Sequence, residues 1–257
     1  MAPIRKGDGT PLEIPGVWEV RSGDGRVFFD AIPDSGADHQ WNFDGGTGTT
    51  VNDSNGGLDA DFSSISWQSG IGAGDFVGEL DGTDDTGDLG SDSRNIFASL
   101  VNEGKGAFSG WFRLDDFNTD LQTLVGNDSS NSDRAFTFWY RDDETVILRV
   151  GTSSDGDDTV TDLSIDVSAL NEGEWHNFAF TMDGDDVYVL LDGNIDNSAS
   201  VGATESGDLQ SNNVHLGSQG GDQRFVEAGI DICWFDPEPV PTSEISDWVD
   251  DTEGLYG

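Results

Sequence analysis

Short runs of alternating apolar and polar residues, broken by loops of Gly, Asp, Asn and Ser, recur roughly every ten residues from Asp38 onward. This rhythm constrains the fold more than any other feature. The clearest runs cover residues 107–114, 135–141, 145–150, 175–182, 187–191, 214–217 and 228–235. Period-two alternation gives a strand one buried face and one second face. Only residues 242–250 read as a helix, with Thr242 or Ser243 as N-cap and Glu244 following. The pattern predicts an all-β fold: a two-sheet antiparallel jelly-roll sandwich with a short C-terminal helix. A chain of 257 residues is long enough to make it one large domain.

Charge narrows the class further. There are 51 acidic against 11 basic residues, a formal net charge of −40, yet 34% of residues are apolar, with 8 Trp and 15 Phe. Such a chain can bury a core, so the acids belong on the surface of a folded body rather than in a disordered tail. Self-repulsion on that surface is large in dilute buffer and small in molar salt, where the Debye length falls to ~3 Å. Lysine occurs only at Lys6 and Lys105, and Asp far outnumbers Glu, the style of a halophilic protein. The surface argues against nucleic acid as a partner, because phosphate binding needs Lys/Arg clusters. Cys233 is the single cysteine, so no intrachain disulfide forms, and its apolar strand makes it a core residue. No window approaches the ~18 apolar residues of a membrane span. Residues 1–9 are polar with no apolar stretch following, and do not read as a signal peptide.

The first 35 residues form a separate expectation. Residues 1–30 hold four basic groups (Arg5, Lys6, Arg21, Arg26) and five acids (Asp8, Glu13, Glu19, Asp24, Asp30), so this stretch is nearly neutral on a very acidic chain. It also repeats: Ile4-Arg5-Lys6-Gly7-Asp8-Gly9-Thr10 is echoed by Val20-Arg21-Ser22-Gly23-Asp24-Gly25-Arg26. Asp-Gly between β-prone runs is a hairpin signal. Residues 1–35 are read as a β-hairpin docking or oligomerisation element, and residues 36–257 as the sandwich. The alternative is a strand pair tucked onto the sandwich. The opening through Pro11 is similar to those of structural proteins from haloarchaeal viruses.

The most specific stretch is Gly173-Glu174-Trp175-His176-Asn177-Phe178-Ala179-Phe180-Thr181-Met182-Asp183-Gly184, followed by Val187-Tyr188-Val189-Leu190-Leu191-Asp192-Gly193. It resembles the central hairpin of laminin-G-like domains, part of the concanavalin A-like lectin/glucanase class. Flanking segments agree in order: Trp41-Asn42-Phe43-Asp44-Gly45, Val51-Asn52-Asp53-Ser54-Asn55-Gly56, Gly78-Glu79-Leu80-Asp81-Gly82, Phe108-Ser109-Gly110-Trp111, Gly229-Ile230-Asp231-Ile232-Cys233 and Ser243-Glu244-Ile245. The resemblance covers residues 38–254 and implies a concanavalin A-like sandwich. It also implies a bound Ca²⁺, with Asp44, Asp53 and Asp231 at the matching positions. A buried carboxylate at Asp231, between Ile230 and Ile232, needs metal ligation or a backbone hydrogen bond to offset its cost. Asp84, Asp85 and Asp88 form a further acidic loop, read as solvated.

Catalytic signatures are absent. Glucanase chemistry needs two carboxylates ~5–5.5 Å apart, supplied by a tight acidic run on one strand, and none occurs. His39, His176 and His215 lack metal-ligand spacing, and there is no Gly-x-Ser-x-Gly. The chain is therefore expected to bind rather than catalyse. Parity on 136–141 and 145–150 places Phe136, Phe138 and Tyr140 on one face with Val146, Leu148 and Val150. Thr137, Trp139 and Arg141 fall on the other with Arg149. Trp139, Arg141 and Arg149 are the candidate ligand patch, unless the arginines only balance Asp142, Asp143 and Glu144.

The combined expectation is a virion structural or adhesive protein of a haloarchaeal virus, such as a tail fibre, spike or turret. It would join other virion proteins through residues 1–35, form a homo-oligomer, and contact host-surface glycan or glycoprotein. The alternative is a carbohydrate-binding domain of a secreted or surface-anchored haloarchaeal protein.

Overall fold

The computed structural model describes residues 19–21, 27–29, 34–69, 76–119, 121–127, 136–151, 160–184, 186–200, 209, 213–221 and 223–256. The chain divides into two units, Met1–Pro33 and Asp34–Gly257. In the first, β1 (Glu19–Arg21) pairs antiparallel with β2 (Val27–Phe29), and Glu19 stands opposite Phe29. Of the second copy of the repeat, only Val20 and Arg21 are among the described residues. The first copy lies outside the described residues, as does most of the docking element assigned to residues 1–35.

The second unit consists of two facing sheets, antiparallel throughout. The first sheet runs β4 (Thr50–Val51), β5 (Ala60–Phe62), β8 (Gly87–Asp88), β17 (His215–Leu216), β10 (Gln122–Gly126), β11 (Phe136–Arg141), β12 (Thr145–Gly151) and β13 (Val160–Asp166). The second runs β6 (Ser66–Ser69), β7 (Phe76–Asp81), β18 (Glu227–Asp236), β9 (Lys105–Leu114), β14 (Trp175–Asp183), β15 (Asp186–Leu191) and β16 (Asn194–Ser200). β3 (His39–Trp41) pairs with β18 beside this row. This is the jelly-roll-type sandwich expected from the alternation.

The core lies between the sheets. Phe136, Phe138, Tyr140, Val146, Leu148 and Val150 point into it from the first sheet, as parity required, and Phe108, Phe112, Phe178 and Phe180 meet them from the second. Phe180 stands edge-on to Phe138 at 5.6 Å and stacks on Phe108 at 5.9 Å. Each such side chain contributes about 1.5–3 kcal/mol on leaving water. Cys233 is fully buried there, and burial pushes its thiol well above the usual range.

Helices depart from expectation in two ways. Among the described residues there are, besides the C-terminal helix, two short ones, α1 (Ser93–Ile96) and α2 (Ala98–Asn102), which with the intervening Phe97 bring Phe97, Leu100 and Val101 onto the core. The C-terminal helix α3 covers Thr242–Glu253, and its N-cap is Pro241 rather than Thr242 or Ser243. No side chain caps it; the Pro241 carbonyl accepts from the N–H groups of Glu244 and Ile245. The buried face of α3, Ile245, Trp248, Val249 and Thr252, lies on the outer face of the second sheet. Trp248 meets Trp234 edge-on at 5.8 Å, and Trp111 Nε1 donates to Thr252 Oγ1 at 3.0 Å.

The two lateral edges of the sandwich are closed by side chains. At one, Asn197 of β16 donates to the Ser164 carbonyl of β13 at 3.1 Å, and the Asp166 N–H donates to Asp196. At the other, where β4 and β6 end the sheets, Trp67 Nε1 donates to the Gly48 carbonyl at 3.0 Å.

Candidate functional site

The expected ligand patch is assembled only in part. Trp139 and Arg149 do meet on the outer face of the first sheet, with the guanidinium 4.7 Å from the ring centroid. Arg224, which the sequence did not point to, adds a second guanidinium at 5.0 Å. Trp139 is only 2% exposed, so no ring face is open for a sugar to stack on. Arg149 is held bidentately by Asp162, both bonds 2.7 Å, and Arg141 faces Asp143 at 3.7 Å. Here the arginines neutralise neighbouring acids, and Trp139 organises the cluster.

Asp44, Asp53 and Asp231 do not gather at one point among the described residues. Ca²⁺ asks for 6–8 oxygen ligands around one point, and these three carboxylates have separate tasks. Asp53 accepts the N–H groups of Gln40, Asn55, Gly56, Gly57 and Leu58, and its Oδ2 lies 2.6 Å from His39 Nδ1. Burial opposes its charge, but the bonds from His39, Gly56, Leu58 and Gln40 outweigh that and hold its pKa well below the ordinary range. Asp231 is fully buried, and Tyr256 Oη donates to its Oδ2 at 3.1 Å. Asp44 is exposed at the β4–β6 edge. Among the described residues the carboxylates that do gather are Asp81, Asp84 and Asp85. Asp85 is already bonded by Ser64 Oγ and the Asp81 N–H, while Asp88 turns away to Asn213.

The Asp53 knot builds a cleft. By gathering the amides of residues 55–58 it folds the loop between β4 and β5, whose Ser54 N–H and Oγ both donate to the Gln40 carbonyl. Gly56 permits this: a Cβ there would stand 2.4 Å from His39 Nδ1. The fixed loop presents Asn52 and Ser54 toward Asn42 and Asp44. Together with Thr50 and Trp67 they line a cleft of about 240 Å³ at the β4–β6 edge. Gln40 Nε2 donates to Asn42 Oδ1 at 2.8 Å, which orients that amide and turns its Nδ2 toward Ser54. Trp67 is half-buried, anchored through Gly48, and lies over Gly45. The lining therefore combines a fixed indole with amide donors, amide and carboxylate acceptors and hydroxyls. A volume below the ~300 Å³ of drug-sized pockets suits one ring of a larger ligand.

A second cleft, of about 200 Å³, opens beside α3 and is lined by Trp111, Trp175, His176, Asp192, Glu253 and Tyr256. Tyr256 stacks on Trp111 at 4.2 Å and is tilted against Trp175 at 5.2 Å. Burial and the bond to Asp231 push its phenol well above the usual range. His176 Nδ1 lies 2.9 Å from Asp192 Oδ2, and the Asn177 N–H donates to Asp192 Oδ1 at 2.8 Å. Trp175 thus belongs to a cleft completed by a residue that follows the last helix. Trp67, Asn52 and Tyr256 were not singled out from sequence. The one available signal was Trp67, an aromatic standing alone in a Ser-rich stretch.

Comparison with known proteins agrees with this architecture. The family described as concanavalin A-like lectin/glucanases superfamily, laminin G type, matches residues 81–245. A comparison with curated proteins finds no match. Among solved structures, the binding domain of botulinum neurotoxin serotype D superposes with a TM-score of 0.61 at 13% identity over 83% of this chain. The receptor-binding domain of the botulinum C/D mosaic serotype gives 0.62 at 11% over 83%. This chain spans about half the length of those toxin domains, 51% of each. Domain 4 of AbnA, an extracellular arabinanase from Geobacillus stearothermophilus solved with arabinotriose, gives 0.59 at 16% identity, over 82% of this chain and 97% of that domain. With its profile match over residues 81–245 and its two-sheet architecture, the chain belongs to the concanavalin A-like lectin/glucanases superfamily.

Proposed function

We propose that the sandwich is a non-catalytic carbohydrate-binding domain that takes a neutral glycan at the β4–β6 edge cleft. The observation that carries this is the lining itself. Trp67 offers a ring face to sugar C–H groups, while Asn42, Asn52, Ser54 and Asp44 offer both donors and acceptors to hydroxyls. The arabinanase domain, whose structure holds arabinotriose, and the toxin binding domains lend support as proteins of like fold. Within that reading, the chain serves attachment on a haloarchaeal virus particle, with residues 1–35 joining it to other virion proteins as a homo-oligomer. The acid-rich surface and the nearly neutral N-terminal segment motivate that placement. A carbohydrate-binding role in a secreted or surface-anchored haloarchaeal protein would use the same cleft.

The test is a panel of neutral oligosaccharides titrated in ~3 M KCl, where the acids are screened, against wild type, Trp67→Ala and Trp175→Ala. Binding weakened about tenfold in the first variant and kept in the second supports the reading. Binding unaffected by Trp67→Ala overturns the site, and steady release of reducing sugar overturns the non-catalytic assignment. Sedimentation of the full chain beside a version lacking residues 1–35 tests assembly: equal monomer masses remove the docking role.

A further inference from the structure

The cleft beside α3 differs in chemistry from the edge cleft. Trp175 and Tyr256 line it as part-buried rings tilted against each other, Trp111 stacks on Tyr256, and the remaining lining is Asp192, Glu253 and His176. It offers no amide or hydroxyl group toward the ligand apart from Tyr256, whose Oη is turned away to Asp231. A sugar, needing donors as well as acceptors around its ring, is poorly served. Aromatic faces carry a negative quadrupole and attract cations placed over them, and two carboxylates add charge of the same sign.

Each oxygen of Asp192 already has a protein partner, one the Asn177 N–H and the other His176 Nδ1 at 2.9 Å, which leaves about one lone pair on each for a ligand. A primary ammonium entering the cleft must find acceptors for three N–H bonds to replace its hydration. A methylated ammonium has no such requirement, is weakly hydrated, and fits flat against π faces. The guanidinium already near Trp175, that of Arg113 at 5.6 Å, does not occupy this role as a net cation. Glu79 and Asp115 both pair with it, at 2.8 and 2.7 Å.

We infer that the cleft formed by Trp175, Tyr256, Asp192 and Glu253 is a binding site for a quaternary ammonium group, separate from the glycan cleft. Trp175 and Tyr256 make the cation–π contacts, Trp111 fixes the Tyr256 ring by stacking, and the two carboxylates supply the field.

The experiment titrates choline into the full-length protein in ~3 M KCl, held constant to fix screening, following the tryptophan fluorescence and the indole N–H resonances. The controls are ethanolamine, which keeps the charge but restores N–H donors, and 3,3-dimethylbutanol, which keeps the shape without charge. Choline is expected to saturate and to bind about tenfold more tightly than either control, the usual worth of a desolvated cation–π contact. Glu253→Gln, at an exposed position that this salt screens, should weaken choline by less than about twofold without disturbing the fold. Trp175→Phe should retain part of the affinity, whereas Trp67→Ala should leave choline binding unchanged. Equal binding of dimethylbutanol reduces the cleft to an apolar hole and overturns the inference. So does ethanolamine at or above choline, loss of choline binding in Trp67→Ala, or absence of saturation in the folded protein.

Discussion

The two clefts share an aromatic and acidic lining yet are built differently. The edge cleft is local: residues 42–54 and Trp67 come from neighbouring segments, and one carboxylate, Asp53, gathers the loop that shapes it. The α3 cleft is long-range: Trp111 on β9, Trp175 and His176 on β14, Asp192 after β15 and Tyr256 beyond α3 meet only in the finished fold. The first therefore depends on one polar knot, and the second on a helix docking to a sheet. The groups set between the aromatics decide the ligand. Mixed donors and acceptors suit hydroxyls, and carboxylates beside aromatic rings suit a cation.

Substitutions separate the clefts by size of effect. Asp53→Asn should be the most damaging. It leaves five gathered N–H groups facing a poorer acceptor and should cost about 3 kcal/mol in a denaturant melt, since hydrogen bonds to charged groups run ~1.5–3 kcal/mol each. It should abolish glycan binding and spare choline. The same carboxylate sets an acid limit. Its folded pKa lies below its unfolded value of about 3.9, so its contribution is complete above pH ~5 and is lost as pH falls through the lower value. A shallow acid titration of glycan binding above pH ~5 would contradict this.

Tyr256→Phe comes next. Removing the hydroxyl leaves the buried Asp231 without that donor and should cost about 1–3 kcal/mol. The ring stays, so choline affinity should change less than stability, and glycan binding not at all. Trp67→Ala should weaken neutral glycan about tenfold, as expected for a ring contact worth ~1.5 kcal/mol. Because Trp67 is half-buried at an edge, its effect on the melt should be the smaller of its two consequences. Least of all, Arg141→Ala should shift stability by under about 0.5 kcal/mol, because its partner Asp143 is 3.7 Å away and both are well exposed. A larger shift would return the Trp139 cluster to consideration as a ligand surface.

How far the sequence reached can be judged element by element. Where a strand is buried on one face, alternation told the truth: Phe136, Phe138 and Tyr140 point inward because a second sheet waits there. β16, with the sequence Asn-Ile-Asp-Asn-Ser-Ala-Ser, buries little on either face, so no hydrophobic signal marked it. α1 and α2 escaped for a related reason, being too short for helical periodicity and lacking a side-chain cap. Asp231 is buried as its apolar neighbours required, but the sequence did not point to Tyr256 as a donor to it, and nothing local relates positions that far apart. Asp53 stood out from its Asp-rich loop. Oxygen-rich sequence cannot distinguish a carboxylate that binds an ion from one that binds five backbone amides, because both need the same tight turn of Gly and Asn.

The sewn edges of the sandwich would matter most in concentrated salt. At molar salt the −40 charge no longer holds copies apart, so colloidal repulsion cannot protect exposed backbone from templating a neighbour's strand. β16 is such a margin, and it carries Asn194, Asp196 and Asn197 with a single large apolar side chain in the open, Ile195. Asn197 is tied across to β13 rather than left reaching outward. Resistance to fibre growth would then rest on how the borders are finished, a safeguard that concentrated electrolyte cannot dissolve.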